Sequence, residues 1–285
     1  MNSFPAGADP AAIVAGFERR ARRFETPCGD GSIVWRAWGS GPPILLAHGG
    51  HGGWSHWIRN IDALAADRTV WALDLPGLGE SASAPREDHQ AISDAIARGL
   101  RQLMGADLPL DIVGFSFGGV VSAHLAAFHP ALVRRLIVVD TGGLDLPMGR
   151  IDVRGIRGLD DVERRAVLRA NLLSLMLHDP ASVDELALYL QETNVGRARI
   201  KAETLVLPDR LLNILPRVPV QLDAIWGEFD GPHPDPAAQA GVFRRFHPDL
   251  EMRVIPGAGH WAMYENPDAF DRTVRELLAQ PLRQR

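Results

Sequence analysis

The sequence has few of the features that mark secreted, membrane-spanning or nucleic-acid-binding proteins. Its single cysteine, Cys28, excludes an internal disulfide and is compatible with a reducing compartment. No run of about 18 apolar residues could form a transmembrane helix, and the N-terminus lacks the charged-then-apolar pattern of a signal peptide. The densest basic run, at residues 18–23, is short, contains an acid and is expected to be a solvated helix face. We therefore expect a cytoplasmic protein, monomeric or homodimeric, with no nucleic-acid or membrane partner.

What the sequence does contain is a regular alternation of strand-like and helix-like patterns. Hydrophobic residues make up 46% of the 285 residues, which is enough for a large core. Short apolar runs typical of strands buried on both faces alternate with helical patterns, and these runs are PPILLA, RTVWALD, LPLDIVG, RRLIVVD, VPVQLDAIWG and EMRVIPG. The alternation predicts an α/β fold with a mainly parallel open sheet and helices on both faces. Residues 22–39 are predicted to form a preceding hairpin that turns at Gly29-Asp30-Gly31.

The alternation of strands and helices is interrupted once. From about Gly143 to Leu211 the apolar spacing is helical and no strand pattern occurs. We predict that residues 1–143 and 212–285 form the core, and that residues 144–211 form a helical cap inserted late in the sheet. Such an insert would lie over one end of the sheet and could act as a lid.

The stretch DIVGFSFGG joins a predicted strand to a predicted helix and carries a serine between two phenylalanines. Gly-x-Ser-x-Gly occurs by chance, but its position between a strand and a helix is that of a nucleophile elbow. In such a turn the serine backbone is strained, and the flanking glycines let the strand and helix approach each other. The serine hydroxyl then stands at a helix N-terminus, where backbone N–H groups favour developing negative charge. Ser116 is therefore the predicted nucleophile.

A serine nucleophile needs a base and an acid that orients the base, and on this architecture the acid precedes the histidine in the chain. His260 directly follows the late strand EMRVIP in a glycine-rich loop and is the predicted base. Asp230 follows the strand LDAIWG and is the favoured acid, while Glu228 is expected to face solvent. Asp140 is a rival acid one strand earlier. Structural or surface roles are expected for several other histidines, among them His178, His233 and His247.

The glycine-rich loop HGGHGG after the strand ILLA is predicted to supply part of an oxyanion hole. One N–H donor should come from Phe117, the residue after the nucleophile, and the other from Gly50, with Gly49 next in order. The loop lacks the glycine spacing and the following acid of a dinucleotide site. No carboxylate or cysteine accompanies the histidines of this region, so no metal and no cofactor are expected, and the histidines concerned are His48, His51 and His56.

Several segments occur in the order and spacing typical of one family: HGGHGGW, DLPGLGES, GFSFGG, WGEFD, and GHW followed by ENP. From about Arg23 to the end, apart from the insert, the chain resembles the α/β-hydrolase fold superfamily. The resemblance implies a Ser–His–Asp triad, and the insert corresponds to the cap domain of that family. GHW with ENP looks similar to hydrolases that cleave carbon–carbon bonds in aromatic-ring fission products, and many carboxylesterases share it. A serine at position 116 differs from the haloalkane dehalogenase and epoxide hydrolase branches, which place aspartate there.

We therefore expect a carboxylesterase-like serine hydrolase that cleaves a small to medium-sized ester or related acyl compound through an acyl-enzyme intermediate. A largely apolar pocket is expected near the serine, lined by Gly49, Trp54, Phe115 and Trp261. The alternatives are a lactonase, or a carbon–carbon bond hydrolase acting on a vinylogous diketo acid. The latter needs a partner for the substrate carboxylate, and the insert offers Arg165, Arg169 and Arg197. A ligand-binding receptor on a hydrolase scaffold is a second class of function.

Overall fold

One open β-sheet forms the centre of the molecule. The structure is a computed structural model that describes Phe4 and residues 7–283 of the chain. Within this part, eight strands lie side by side in the order β1-β2-β4-β3-β5-β6-β7-β8. The strands are β1 (Arg22–Cys28), β2 (Gly31–Trp38), β3 (Pro43–Ala47), β4 (Thr69–Leu73), β5 (Leu110–Phe115), β6 (Val133–Val139), β7 (Gln221–Gly227) and β8 (Met252–Ile255).

The direction of strand pairing follows the predicted pattern. β1 and β2 form an antiparallel hairpin, and β2 also pairs antiparallel with β4. All the pairs from β4 through β3, β5, β6 and β7 to β8 are parallel. The predicted mainly parallel open sheet and its N-terminal hairpin are confirmed.

Helices cover both faces of the sheet because successive strand residues point to opposite sides. In β5, Ile112 packs in one core with residues of the third and fourth helices, while Val113 packs in a second core with residues of the last helix. The α-helices of the described residues are α1 (Pro10–Arg20), α2 (Ile61–Leu64), α3 (His89–Met104), α4 (Phe117–Phe128), α5 (Asp161–Asn171), α6 (Glu185–Arg197), α7 (Arg210–Ile214), α8 (Pro236–Arg244), α9 (Ala262–Glu265) and α10 (Pro267–Ala279).

The segment between β6 and β7 contains α5, α6 and α7, and no strand occurs in it among the described residues. Directly after α5, residues Leu172–Met176 form a π-helical turn, in which the N–H of Leu177 donates to the carbonyl of Leu172 at 2.8 Å. A π-helical turn holds one residue more than the corresponding α-helical turn. The helical character predicted for this segment is present, and its treatment as a separate cap of residues 144–211 stays a prediction.

Helices α3 and α4 meet through two stacked imidazoles. The ring centroids of His89 and His124 lie 3.6 Å apart with an interplanar angle of 9°. Nδ1 of His124 donates to the carbonyl of Val120 at 2.9 Å. Burial lowers the pKa of His89 to about 4, and burial together with the neighbouring His89 lowers the pKa of His124 to about 4. The folded protein therefore holds both rings neutral in mildly acidic solution.

This stacked pair should make the stability of the protein sensitive to acid. The unfolded chain protonates histidine near pH 6.5 and the folded chain near pH 4, so the unfolded state binds more protons between these values. The free energy of unfolding should therefore fall as the pH is lowered through this window. Urea unfolding at about pH 7 and about pH 5 measures the loss, which should be smaller in His89→Gln than in the wild type. The exposed His178 provides the matched control, since His178→Gln should lose as much free energy of unfolding as the wild type. An equal loss in all three proteins would show that the stacked pair is not the cause.

Candidate active site

Ser116 stands alone on the turn between β5 and α4. Its backbone has φ +49° and ψ −116°, a left-handed conformation that non-glycine residues rarely adopt. The flanking glycines are required by close packing: a Cβ on Gly114 would lie 2.7 Å from the carbonyl oxygen of Gly118. A Cβ on Gly118 would overlap the carbonyl oxygen of Ala47 in β3. The glycines on both sides of Ser116 therefore let the strand and the helix approach each other, as the sequence pattern predicts. The serine side chain lies at the carboxyl edge of the sheet.

His260 and Asp230 reach Ser116 from loops that follow later strands. Nε2 of His260 lies 3.1 Å from Oγ of Ser116, and Nδ1 lies 3.1 Å from Oδ1 of Asp230. Burial acts to raise the pKa of Asp230, but the charge of His260 and the hydrogen bond from His233 outweigh it and hold this pKa well below its usual value. Because an ionised carboxylate only accepts hydrogen bonds, Nδ1 of His260 donates and Nε2 is free to accept the hydroxyl proton of Ser116.

The two candidate acids lie next to each other, but only one contacts the histidine. Asp140 follows β6, is completely buried, and accepts a hydrogen bond from the N–H of Gly227 at 2.7 Å. Burial and the negative charge of Asp230 raise the pKa of Asp140 well above its usual value. Asp140 is therefore a neutral carboxyl group beside an ionised one. The hydrogen bond to His260 is made by Asp230.

The predicted oxyanion donors lie on the two sides of the serine. Phe117 opens α4, so its N–H has no acceptor within the helix. Gly50 lines the cavity that contains Ser116, and a Cβ on Gly50 would lie 3.8 Å from Cβ of Phe117. A Cβ on Gly49 would lie 3.4 Å from Cβ of Ser116. The structure thus brings these residues together around the space where a substrate carbonyl oxygen would lie.

His48 holds the glycine-rich loop in place through two hydrogen bonds. Its Nδ1 donates to the carbonyl of Gly49 at 2.7 Å, and its Nε2 accepts from the N–H of Leu75 at 2.9 Å. Burial lowers the pKa of His48, in agreement with a neutral ring that both donates and accepts. The loop geometry is therefore fixed by hydrogen bonds to the segment after β4.

Ser116 opens into a cavity of about 430 Å³ whose walls are mostly apolar. One wall comes from the core and the other from the segment between β6 and β7. The residues that line it are Gly50, His51, Phe115, Ser116, Phe117, Gly142, Met148, Ile151, Val153, Leu175, Met176, Ala202, Glu203, Val206, Leu207, Pro232, His233 and His260. Of the predicted pocket residues, Phe115 is part of this wall.

The two predicted pocket tryptophans lie elsewhere, and that part of the prediction is wrong. Trp54 turns away from the serine, and its ring packs against those of Phe17 and Trp38. Trp261 is fully buried, stacks on Tyr264 with centroids 4.2 Å apart, and donates from Nε1 to a backbone carbonyl. Both rings are buried in the same hydrophobic core cluster. Neither lines the cavity around Ser116.

The arginines predicted as partners for a substrate carboxylate also lie outside this cavity. Arg165 forms an ion pair with Glu185, and Arg169 donates to two backbone carbonyls of its own segment. Arg197 lies 3.5 Å from a carboxylate oxygen of Glu80. Among the described residues that line the cavity, none is an arginine or a lysine.

A second imidazole, not predicted from the sequence, faces the site. Nδ1 of His233 lies 3.1 Å from Oδ2 of Asp230, and its backbone N–H donates to Oδ1 at 3.2 Å. The residue is 7% exposed and lines the cavity. One feature of the sequence could have identified His233 as a site residue: it follows β7, three residues beyond the favoured acid. The prolines on both sides of it are instead typical of an ordinary turn.

The loop that carries His260 is fastened to the segment between β6 and β7. The N–H of Trp261 donates to the carbonyl of Met176 at 2.7 Å. The carboxylate of Glu265 accepts from the N–H groups of Gly259, His178 and Asp179 at 2.7, 3.0 and 2.6 Å. The position of the histidine therefore depends on both parts of the chain.

Within the described residues, Asp230, His233 and His260 place potential ligand atoms within 4.8 Å of one another. These three side chains are already joined by hydrogen bonds, since the carboxylate of Asp230 accepts from Nδ1 of each ring. Nδ1 of each ring is thus engaged by the carboxylate, and we assign no metal to these residues.

An open, mainly parallel sheet with a serine at a strand-to-helix turn, faced by a histidine and an acid from later loops, defines the class of α/β-hydrolase folds. The model of the Alpha/beta hydrolase family matches residues 44–273, and the chain belongs to this family. The predicted resemblance and the predicted hydrolase class are confirmed at this level.

The relatives of the chain include enzymes of different activity. It is 32% identical over 248 residues to the dihydrolipoyllysine-residue acetyltransferase component of the acetoin cleaving system of Pseudomonas putida, a match that covers 84% of this chain but 63% of that relative. It is 26% identical over 257 residues to 2-hydroxy-6-oxo-6-phenylhexa-2,4-dienoate hydrolase of Burkholderia cepacia, with 85% of this chain and 89% of the relative covered. The structure of an esterase from Rhodococcus sp. has a TM-score of 0.75 at 22% identity, with 90% and 98% of the two chains covered.

No helix of the described residues combines the length and the apolar composition that a membrane crossing requires.

Proposed function

We propose that this protein is a serine esterase that hydrolyses small to medium-sized uncharged esters through an acyl-enzyme intermediate. Ser116 is the proposed nucleophile, His260 the base, and Asp230 the acid that orients the base. Phe117 and Gly50 are the proposed oxyanion donors. No metal or organic cofactor takes part in this proposal.

The observation that carries the proposal is the continuous hydrogen-bonded chain from Asp230 through His260 to Ser116, which opens into an apolar cavity. The two contacts of His260 are each 3.1 Å long. The acid is 1% exposed and the histidine 4% exposed, so the chain is shielded from bulk water. An apolar cavity with few polar groups near the nucleophile is typical of a site that binds small molecules by shape.

Acylation follows from these contacts. Oγ of Ser116 attacks the ester carbonyl carbon while Nε2 of His260 takes the hydroxyl proton. The ionised Asp230 stabilises the imidazolium that forms and keeps Nδ1 protonated. The N–H groups of Phe117 and Gly50 stabilise the negative charge on the carbonyl oxygen. His260 then gives its proton to the leaving alcohol.

Deacylation uses the same groups in the reverse order. With the alcohol gone, His260 takes a proton from a water molecule, which attacks the acyl carbon. The oxyanion donors stabilise the second tetrahedral intermediate, and the acid leaves when Ser116 regains its proton from His260.

A carbon–carbon bond hydrolase is the second candidate, because the Burkholderia relative is named as the hydrolase of an oxo-dienoate and aligns over most of both chains. Its substrate is a dienoate and therefore carries a carboxylate. Among the described residues that line this cavity, none is an arginine or a lysine that could pair with that carboxylate, and the one acid, Glu203, is exposed to solvent. The lack of a cationic partner therefore favours an uncharged ester.

Turnover of p-nitrophenyl butyrate and of 2-hydroxy-6-oxo-6-phenylhexa-2,4-dienoate separates the candidates. We expect the larger kcat/KM for the ester. The opposite order would favour the carbon–carbon bond hydrolase. Turnover of neither, by a folded protein that binds an ester analogue, would favour a receptor.

The side chain of Leu175, which lines the cavity, should limit the size of the acyl group that the enzyme accepts. Each buried methylene is worth about 0.8 kcal/mol, or about fourfold in kcat/KM, until the cavity is full. Leu175→Ala enlarges the cavity, so the acyl chain of highest kcat/KM should become longer by about two or three carbons. A series of p-nitrophenyl esters measures this. Leu173 lies in the same turn but does not line this cavity, so Leu173→Ala should keep the wild-type optimum. Identical chain-length profiles in all three proteins would show that Leu175 does not select the acyl group.

A further inference from the structure

His233 carries an unused hydrogen-bond acceptor in the apolar cavity. Its Nδ1 faces Oδ2 of Asp230 at 3.1 Å. Because the ionised carboxylate only accepts, the neutral form of the ring carries its proton on Nδ1 and a lone pair on Nε2. The pKa of Asp230 is held well below its usual value, which keeps it ionised. Nε2 of His233 has no hydrogen-bond partner among the described residues.

The direction of Nε2 is given by its neighbours. A Cβ added to Gly142 would lie 2.9 Å from Nε2 of His233, and Gly142 itself lines the cavity. The backbone carbonyl of His233 accepts from Nε1 of Trp226 at 3.2 Å, which fixes the other side of the residue. The side chain is 9% exposed. Nε2 therefore faces the cavity from a side chain that is held at both ends, where a donor on a bound molecule can reach it.

The arrangement resembles the one on the nucleophile side. Asp230 accepts from two imidazoles; Nε2 of His260 faces the hydroxyl of Ser116, while Nε2 of His233 faces the cavity. The two ring centroids are 5.5 Å apart. A donor bound to His233 would therefore lie only a few bonds from the carbonyl carbon attacked by Ser116.

We propose that Nε2 of His233 recognises a hydroxyl group that the substrate carries a few bonds from the scissile carbonyl. The preferred substrates are then hydroxy-esters, with the hydroxyl either on the acyl chain or on the alcohol part. This inference rests on the proposed esterase function and names its substrate class. His233 is a binding residue in it, while the chemistry stays with Ser116 and His260.

Two pairs of esters distinguish the position of the hydroxyl. p-Nitrophenyl 3-hydroxybutyrate against the butyrate tests the acyl side, and 2-hydroxyethyl butyrate against propyl butyrate tests the alcohol side. Each kcat/KM is divided by the rate constant of alkaline hydrolysis, which removes differences in intrinsic reactivity. We expect the corrected ratio of hydroxy-ester to plain ester to be roughly tenfold in one pair for the wild type.

His233→Asn tests the residue directly. The asparagine amide can still donate to Asp230 in place of Nδ1, but it lacks the acceptor at Nε2. The ratio should fall to about one, whatever happens to the absolute rates. Gly142→Ala tests the same acceptor with His233 intact, because its Cβ would block Nε2 at 2.9 Å, and it should lower the ratio as well.

His51 is the matched control, since it is another imidazole that lines the cavity and its φ of +50° suits asparagine. His51→Asn should keep the wild-type ratio. The inference is overturned if the wild type shows no preference in either pair, or if both His233→Asn and Gly142→Ala keep the wild-type ratio. If the wild type hydrolyses neither plain ester, it is the esterase function that fails.

Discussion

Replacing Ser116 with alanine is expected to lower kcat about 10⁴-fold or more while the protein keeps its fold. In the proposed mechanism this hydroxyl forms the covalent intermediate, so without it no acyl-enzyme is available for His260 and Asp230 to hydrolyse. The loss should therefore appear in kcat rather than in KM. Hydrolysis of p-nitrophenyl butyrate measures the rate, and circular dichroism with thermal unfolding checks the fold.

A serine of the helix that follows Ser116 offers a control. Ser122 is 2% exposed in α4 and does not line the cavity, so Ser122→Ala removes a hydroxyl group away from the site. It should keep wild-type kcat. A fluorophosphonate probe, which reacts with activated serines, should label the wild type and Ser122→Ala but not Ser116→Ala. Near-wild-type turnover or labelling in Ser116→Ala would remove this serine from the mechanism.

Asp230→Asn is expected to lower kcat/KM about 10⁴-fold, because the amide can donate to Nδ1 of His260 and so favours the wrong tautomer of the base. In this protein the effect should extend to His233, whose Nδ1 faces the same carboxylate at 3.1 Å. The free energy of unfolding, measured by urea, should change much less than the rate. Rates with a plain butyrate ester isolate the loss at His260.

The neighbouring acid provides the control for this second prediction. Burial and the charge of Asp230 raise the pKa of Asp140 well above its usual value, so the native group is already neutral. The amide of Asp140→Asn has nearly the same shape and the same charge as a protonated carboxyl. It can also still accept the hydrogen bond from Gly227. A far smaller loss of kcat/KM is therefore expected, and a reversed order of the two variants would move the orienting acid to the strand before.

Residues whose position follows from local sterics could be predicted from the sequence. The elbow around Ser116 needs glycines at 114 and 118 because a Cβ at either would overlap a neighbouring carbonyl oxygen, and that requirement is visible in the sequence. His260 and Asp230 follow late strands of a parallel sheet, whose carboxyl ends meet at one edge. The strands, the hairpin and the approximate site could therefore be read from pattern and order.

Side-chain direction depends on packing partners that the sequence does not identify. Trp54 lies close in the chain to the glycine-rich loop, but the rings of Phe17 and Trp38 draw it into the core. His233 shows the opposite case, since a ring expected to be structural or on the surface is drawn inward by Asp230. The position of Trp54 depends on contacts with residues distant in sequence. The position of His233 depends on a charge whose burial the sequence does not show.

The π-helical turn at Leu172–Met176 affects how well the protein tolerates the deletion of a residue from this part of the chain. Each residue of an α-helix rotates the following side chains by roughly 100°, so a deletion within α5 would turn Leu175 and Met176 away from the cavity. A π-helical turn already contains the extra residue, and deleting one residue from it restores a regular α-helix with the flanking side chains in register. A one-residue deletion should therefore be better tolerated in this turn than within α5. An engineer could use chain length there, as well as substitution, to reshape the space above Ser116.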